Sequence, residues 1–265
     1  MTNVVRREQS VQAMINKVPE VTLAFWVIKI MSTTVGETGA DYLAVNAGLG
    51  TAVTGLLMGT LLFIALVVQL RTRRYTPWIY WTTVVLVSIV GTQITDALTD
   101  KLEVSLYAST VSFAIALAVT FAAWHAVERT LSIHTIFTTR REGFYWTAIL
   151  FTFALGTAAG DLATEALGLG FGLGVFVFGG LIAVVACAYA VGADAVLTFW
   201  LAYILTRPLG ASLGDLCSQA KAYGGLGLGT IYTSLGFLTV IIALVTLATF
   251  APRNARMPGE AEEPT

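Results

Sequence analysis

The chain has 265 residues, of which 56% are hydrophobic and only 12% charged, with 25 glycines and a formal net charge of −1. Soluble domains carry about a quarter charged residues, so the composition is that of an all-α membrane protein whose partner is the lipid bilayer. It offers no basic field for nucleic acid, and Cys187 and Cys217 lack the paired spacing of a disulfide framework or zinc site.

Residues 1–19 are polar and mixed in charge, without the apolar core of a signal peptide, and are expected to be a cytoplasmic segment. A helix needs about 20 apolar residues to cross the hydrocarbon layer. Eight stretches qualify within a single transmembrane domain at 20–251: about 20–45, 50–70, 78–99, 104–127, 143–165, 171–193, 196–219 and 227–250. In this arrangement Arg6, Arg7, Lys17, Arg71, Arg73, Arg74, Arg129, Arg140, Arg141, Arg253 and Arg256 share one side, against Lys101 and Lys221 on the other. The positive-inside rule then predicts cytoplasmic termini. Residues 252–265, rich in Pro and Glu, read as a disordered cytoplasmic tail.

An aromatic–Trp pair recurs four times, each followed by Gly ten residues after the Trp and by Asp fifteen after it. The copies are Phe25-Trp26 with Gly36 and Asp41, Tyr80-Trp81 with Gly91 and Asp96, Tyr145-Trp146 with Gly156 and Asp161, and Phe199-Trp200 with Gly210 and Asp215. They define four parallel two-helix repeats, about 20–75, 76–140, 141–195 and 196–251. The aromatic pairs, near the cytoplasmic start of each odd-numbered helix, are expected to form an interfacial belt. Each aspartate lies about 22 Å farther along, in the outer half of the membrane.

Steps of four residues trace one face of a helix. In the first helix that face carries Lys29, Thr33, Glu37 and Asp41; in the third, Ser88, Thr92, Asp96 and Asp100. The fifth presents Thr157, Asp161 and Glu165, and the seventh Arg207, Asp215 and Gln219, with Ala211 between. Four residues after each repeat glycine stands a small residue (Ala40, Thr95, Gly160 and Gly214), a spacing that lets helix backbones approach closely in lipid. The acids are therefore expected around a shared interior, because an acid facing acyl chains costs at least ~2.5 kcal/mol.

Glu37, Asp41, Asp96, Asp161 and Asp215 are the candidate cation and metal ligands, supported by Thr33, Thr92 and Thr157 and tuned by the counter-ions Lys29 and Arg207. Two bases cannot neutralise five ionised acids, so the group holds protons or a cation, unless the acids only pin the bundle. Gly48-Leu49-Gly50, Gly227-Leu228-Gly229 and the glycines at 170, 172 and 174 mark outer turns. These are either tight connections or exposed carbonyls beside the acids.

No phosphate-binding loop, nucleophile elbow or His-Glu-x-x-His helix occurs, so neither an enzyme nor a covalently bound cofactor is expected. The pattern from Lys29 to Leu49, K-I-M-S-T-T-V-G-E-T-G-A-D-Y-L-A-V-N-A-G-L, resembles a family of bacterial multi-pass membrane-anchored proteins. That resemblance implies the bacterial inner membrane. More loosely, Gly36-Glu37 with Asp41, and Gly160-Asp161, are similar to the acid–glycine signatures of repeat-built manganese and calcium exporters.

The expected function is secondary transport of a small cation, most of all a divalent metal such as Mn²⁺, through an oxygen site. The alternatives are a proton-coupled transporter of an anion or zwitterion that uses Lys29 and Arg207, and a non-transporting scaffold or sensor.

Overall fold

The structure is a computed structural model that describes residues 16–250. The arginines at 6, 7, 253 and 256 and the expected tail lie outside the described residues. Among those described there are eight long helices and no strand: α1 (Leu23–Asp41), α2 (Gly50–Arg71), α3 (Pro77–Asp96), α4 (Leu106–Glu128), α5 (Thr139–Asp161), α6 (Gly170–Ala190), α7 (Ala195–Ser218) and α8 (Thr230–Phe250).

Local chemistry sets the helix starts. Thr22, Ser105, Thr138 and Asp194 each accept a hydrogen bond from a first-turn amide, and Pro77 opens α3, where a missing N–H costs nothing. Immediately after Asp41, Asp96 and Asp161 the helices loosen into a π-helical turn: Tyr42–Asn46, Ala97–Lys101 and Leu162–Ala166. The turns into α2, α6 and α8 carry glycine pairs at positive φ, Gly48/Gly50, Gly168/Gly170 and Gly227/Gly229. These glycines serve tight turns that other residues enter only under strain. The second repeat lacks such a pair, and Glu103 takes the left-handed conformation at φ 53°.

Seven helices, α2 to α8, are long and apolar enough to cross a membrane. The expectation of eight such spans is met by all but α1, whose apolar character is diluted by buried Lys29, Ser32, Thr33, Thr34, Glu37 and Thr38. The buried share of the apolar stretch is 61%, 56% and 61% in α3, α5 and α7, against 17%, 22%, 11% and 17% in α2, α4, α6 and α8. The odd helices are therefore the inside of the molecule and the even ones its shell. The shell exposes Leu56, Phe63, Val119, Phe176 and Leu247 outward, as a helix facing acyl chains does.

The odd helices close a ring in which α1 packs on α3, α3 on α5, α5 on α7, and α7 back on α1. All four seams use the repeat glycine. A Cβ on Gly36 would collide with Ser88, one on Gly91 with Phe153, one on Gly156 with Arg207, and one on Gly210 with Thr33. Each obstructing residue stands three positions before the glycine of its own repeat. The ring thus has near-fourfold order in its contacts as well as in its sequence.

The sequence suggests four hairpins, but their two helices do not pack mainly on each other. Instead α2 packs on α3, α4 on α5, α6 on α7, and α8 on α1. Each return helix covers the odd helix of the next repeat, so no repeat buries its core alone.

The aromatic–Trp pairs also depart from expectation. Phe25, Tyr80, Trp81, Tyr145, Trp146, Phe199 and Trp200 are buried in the core and do not form an interfacial belt. The first ring of each pair meets the Trp of a neighbouring repeat: Phe25–Trp81 at 5.6 Å, Tyr80–Trp146 at 5.5 Å, Tyr145–Trp200 at 6.3 Å and Phe199–Trp26 at 5.7 Å between centroids. This collar fills one end of the ring, called the aromatic end below. A belt and a collar have the same sequence spacing, and ring closure turns the pairs inward.

Candidate functional site

The inside of the ring is a polar column built in layers, each from equivalent positions of the repeats. Within the collar, Tyr80 and Tyr145 share a hydroxyl–hydroxyl hydrogen bond of 2.5 Å. Lys29 lies farther along the column, only 1% exposed. Its Nζ sits 4.0 Å from the centroid of Phe153 and 4.2 Å from that of Tyr203, and among the described residues it has no hydrogen-bond partner. Aromatic faces attract a cation through their negative quadrupole. Lys29 therefore has a seat but no salt bridge, contrary to a counter-ion role paired with an acid.

One layer on, α7 sends Arg207 across the ring. It is fully buried, and its Nη2 donates to Glu37 Oε2 on α1 at 2.6 Å, to Thr157 Oγ1 on α5 at 2.7 Å, and to Thr92 Oγ1 on α3 in a very short contact. Its Nη1 reaches the Thr33 carbonyl at 3.5 Å. Glu37, Thr92 and Thr157 each stand eleven residues after their Trp, and the fourth equivalent, Ala211, brings no oxygen. Arg207 reaches them from one turn earlier, beside Pro208, which packs against Gly156 and Gly160. The Thr33 hydroxyl takes no part. It donates to the Ile30 carbonyl at 2.6 Å and to the Thr206 carbonyl at 3.3 Å and so stitches α1 to α7.

The repeat aspartates come last. Asp41, Asp96, Asp161 and Asp215 are all half-buried, and among the described residues no hydrogen bond or ion pair reaches their carboxylates. All four have Glu37 as an electrostatic neighbour, and Asp41, Asp96 and Asp215 also feel Arg207. Exposed Asp100 and Glu165 lie within the same field. The acids share one electrostatic neighbourhood at this end of the column, and Glu37, Thr92 and Thr157 form a tight oxygen cluster next to it.

These acids do not gather into a single coordination shell. Among the described residues no group of three or more His, Cys, Asp and Glu side chains is placed to hold a metal ion. The expected metal set of Glu37, Asp41, Asp96, Asp161 and Asp215 is spread over the helices of the ring, and its innermost member is already paired with Arg207. Two features escaped the sequence reading: the Phe153 and Tyr203 rings around Lys29, and a buried cluster at the aromatic end. In that cluster Lys17 meets Glu142 at 2.6 Å and the Leu70 carbonyl at 3.1 Å, while Gln69 donates to Glu142 at 3.0 Å. The register three residues before each repeat glycine, which holds Thr33, Ser88, Phe153 and Arg207, was the available signal for the first.

No curated protein and no solved structure matches the chain. A family model described as a repeat of unknown function, DUF347, matches four times, at 24–75, 79–130, 144–192 and 198–254. Each match takes in one odd helix and the even helix after it, and with the four copies covering most of its length, the chain belongs to the DUF347 repeat family.

Proposed function

We propose that this chain is a multi-pass membrane transporter for a small cation, with the acidic mouth as its loading site. All eight helices span the bilayer, α1 sheltered inside the shell, and the arginine-rich aromatic end faces the cytoplasm. One observation carries the reading: four half-buried aspartates, one per repeat, have carboxylates committed to no partner and share a ring with a buried arginine. Acids kept inside a membrane protein without a structural partner mark ion pathways.

Because the carboxylates are spread around a ring, the arrangement favours an ion that keeps much of its water, as Mg²⁺ does and Mn²⁺ in similar oxygen sites can. Transport is secondary, because the chain has no phosphate-binding loop.

The test is flux of Mn²⁺ and Mg²⁺ into liposomes containing the purified full chain, read with an internal metal indicator. We expect saturable flux that Asp41→Asn abolishes at equal incorporation. Equal flux through Asp41→Asn and the unaltered chain would return the acids to a purely structural role.

A second reading rests on its own observation. Among the described residues, Lys29 Nζ and Arg207 Nε are buried donors without acceptors, as a site for an anion or zwitterion would present them. Loss of substrate binding in Lys29→Ala, with metal flux absent throughout, would select it.

A further inference from the structure

The contacts of Arg207 are unusual for an arginine. A terminal guanidinium nitrogen carries two protons, yet three oxygens, from Glu37, Thr92 and Thr157, converge on Nη2. Both threonines have already spent their own protons: Thr92 donates to the Ser88 carbonyl at 3.1 Å and Thr157 to the Phe153 carbonyl at 3.0 Å. Only lone pairs remain to face the centre. The Thr33 carbonyl adds another acceptor at 3.5 Å from Nη1. Oxygen acceptors from three helices thus surround a charge, as they would around an ion. The fourth helix contributes Ala211 at that level and supplies the charge itself from one turn away.

We propose that Glu37, Thr92 and Thr157, with the Thr33 carbonyl, form a cation-binding site of guanidinium size, and that Arg207 is its tethered occupant. The side chain fills the site and keeps free cations from passing inward. A cation arriving from the aspartate mouth must displace it, and Asp41, Asp96 and Asp215, already in its field, are the acids able to receive it. Lys29 lies on the other side of the site. It is buried and, among the described residues, its Nζ has no hydrogen-bond partner, so its side chain stands in the way toward the aromatic end. This inference deepens the transport reading and rests on the same column, but its test measures binding alone. A chain that binds guanidinium yet moves no cation would keep this site and lose the transport reading.

The test uses the full chain in detergent with Arg207→Ala, which empties the site. The probes are guanidinium and methylguanidinium at low millimolar concentration, and urea, a neutral molecule of the same shape, is the control. Ligand that binds only the folded state raises its melting midpoint. Arg207→Ala should melt below the unaltered chain and recover by several degrees, saturably, with guanidinium but not with urea. The unaltered chain should not respond, and adding Glu37→Gln to Arg207→Ala should erase the recovery. No saturable recovery, or equal recovery with urea, would overturn the proposal. If Arg207→Ala yields no folded protein, Arg207→Lys decides. Its ammonium lacks the guanidinium reach, so Thr92→Val and Thr157→Val, destabilising in the unaltered chain, should cost little there. Equal loss in both backgrounds would make the threonines packing residues and remove the site.

Discussion

Glu37 and Asp41 share a face of α1 one turn apart, yet the structure gives them opposite circumstances. Glu37 holds the buried guanidinium of Arg207, and Asp41 holds no partner among the described residues. Removing one partner of a buried ion pair leaves an uncompensated charge, at about 3–5 kcal/mol. Glu37→Gln should therefore lower the melting midpoint strongly as well as stop flux, whereas Asp41→Asn should stop flux and melt like the unaltered chain. If Asp41→Asn is as destabilising as Glu37→Gln, the aspartates are part of the scaffold. Asp100→Asn and Glu165→Gln, at the exposed rim, should alter only the concentration at which cation flux saturates. The buried Lys17–Glu142 pair offers a separate test at the aromatic end. Lys17→Met alone strands the carboxylate of Glu142 and should cost about 3 kcal/mol, while Lys17→Met with Glu142→Met should regain most of that loss. Equal melting of the single and double variants would show that the charge is not what holds this segment.

At the scale of helices, the ring depends on four glycine seams. Without a hydrophobic drive between helices in lipid, close backbone contact supplies the attraction. A methyl group on Gly156 would meet the stem of Arg207, and one on Gly36 would meet Ser88, whereas Gly59 on the shell helix α2 faces open space. Gly156→Ala and Gly36→Ala should each destabilise by about 1–3 kcal/mol through overpacking. Gly59→Ala should be neutral or gain up to about 1 kcal/mol from helix propensity. A series of thermal melts checks this, and equal losses at all three positions would contradict the seam assignment. Gly156→Ala carries an added consequence: it pushes on Arg207 itself, so it should weaken the oxygen cluster as well as the packing.

For the whole molecule, interleaving makes the repeats interdependent. Each even helix covers the next repeat, and α8 closes the circle on α1, so a chain shortened by one repeat leaves an odd helix uncovered. The proposed orientation can be tested directly. In a background with Cys187→Ser and Cys217→Ser, cysteines at Lys101 and Lys221 should react with a membrane-impermeant maleimide applied outside intact cells. Cysteines at Arg73 and Arg129 should react only after lysis. Labelling of Arg73→Cys from outside would reverse the assigned topology.

Length, charge distribution and the spaced Trp-Gly-Asp pattern determine on their own a helical, membrane-type chain of four repeats, and the fourfold family match follows the same periodicity. Helices are legible this way because hydropathy and capping act within a few residues. The polar stripe was legible too, since residues four apart share a face. What lies across from each stripe was not. That Arg207 reaches Glu37, Thr92 and Thr157, that Lys29 rests on Phe153 and Tyr203, and that Trp81, Trp146 and Trp200 line the core all depend on ring closure. A helix's own sequence specifies which face is polar or small, but the identity of its neighbour follows from how all eight pack at once. Tertiary contact alone thus separated the glutamate paired with Arg207 from the aspartates, which have no such partner among the described residues, and set an arginine-filled oxygen cluster next to the acidic end of the stripe.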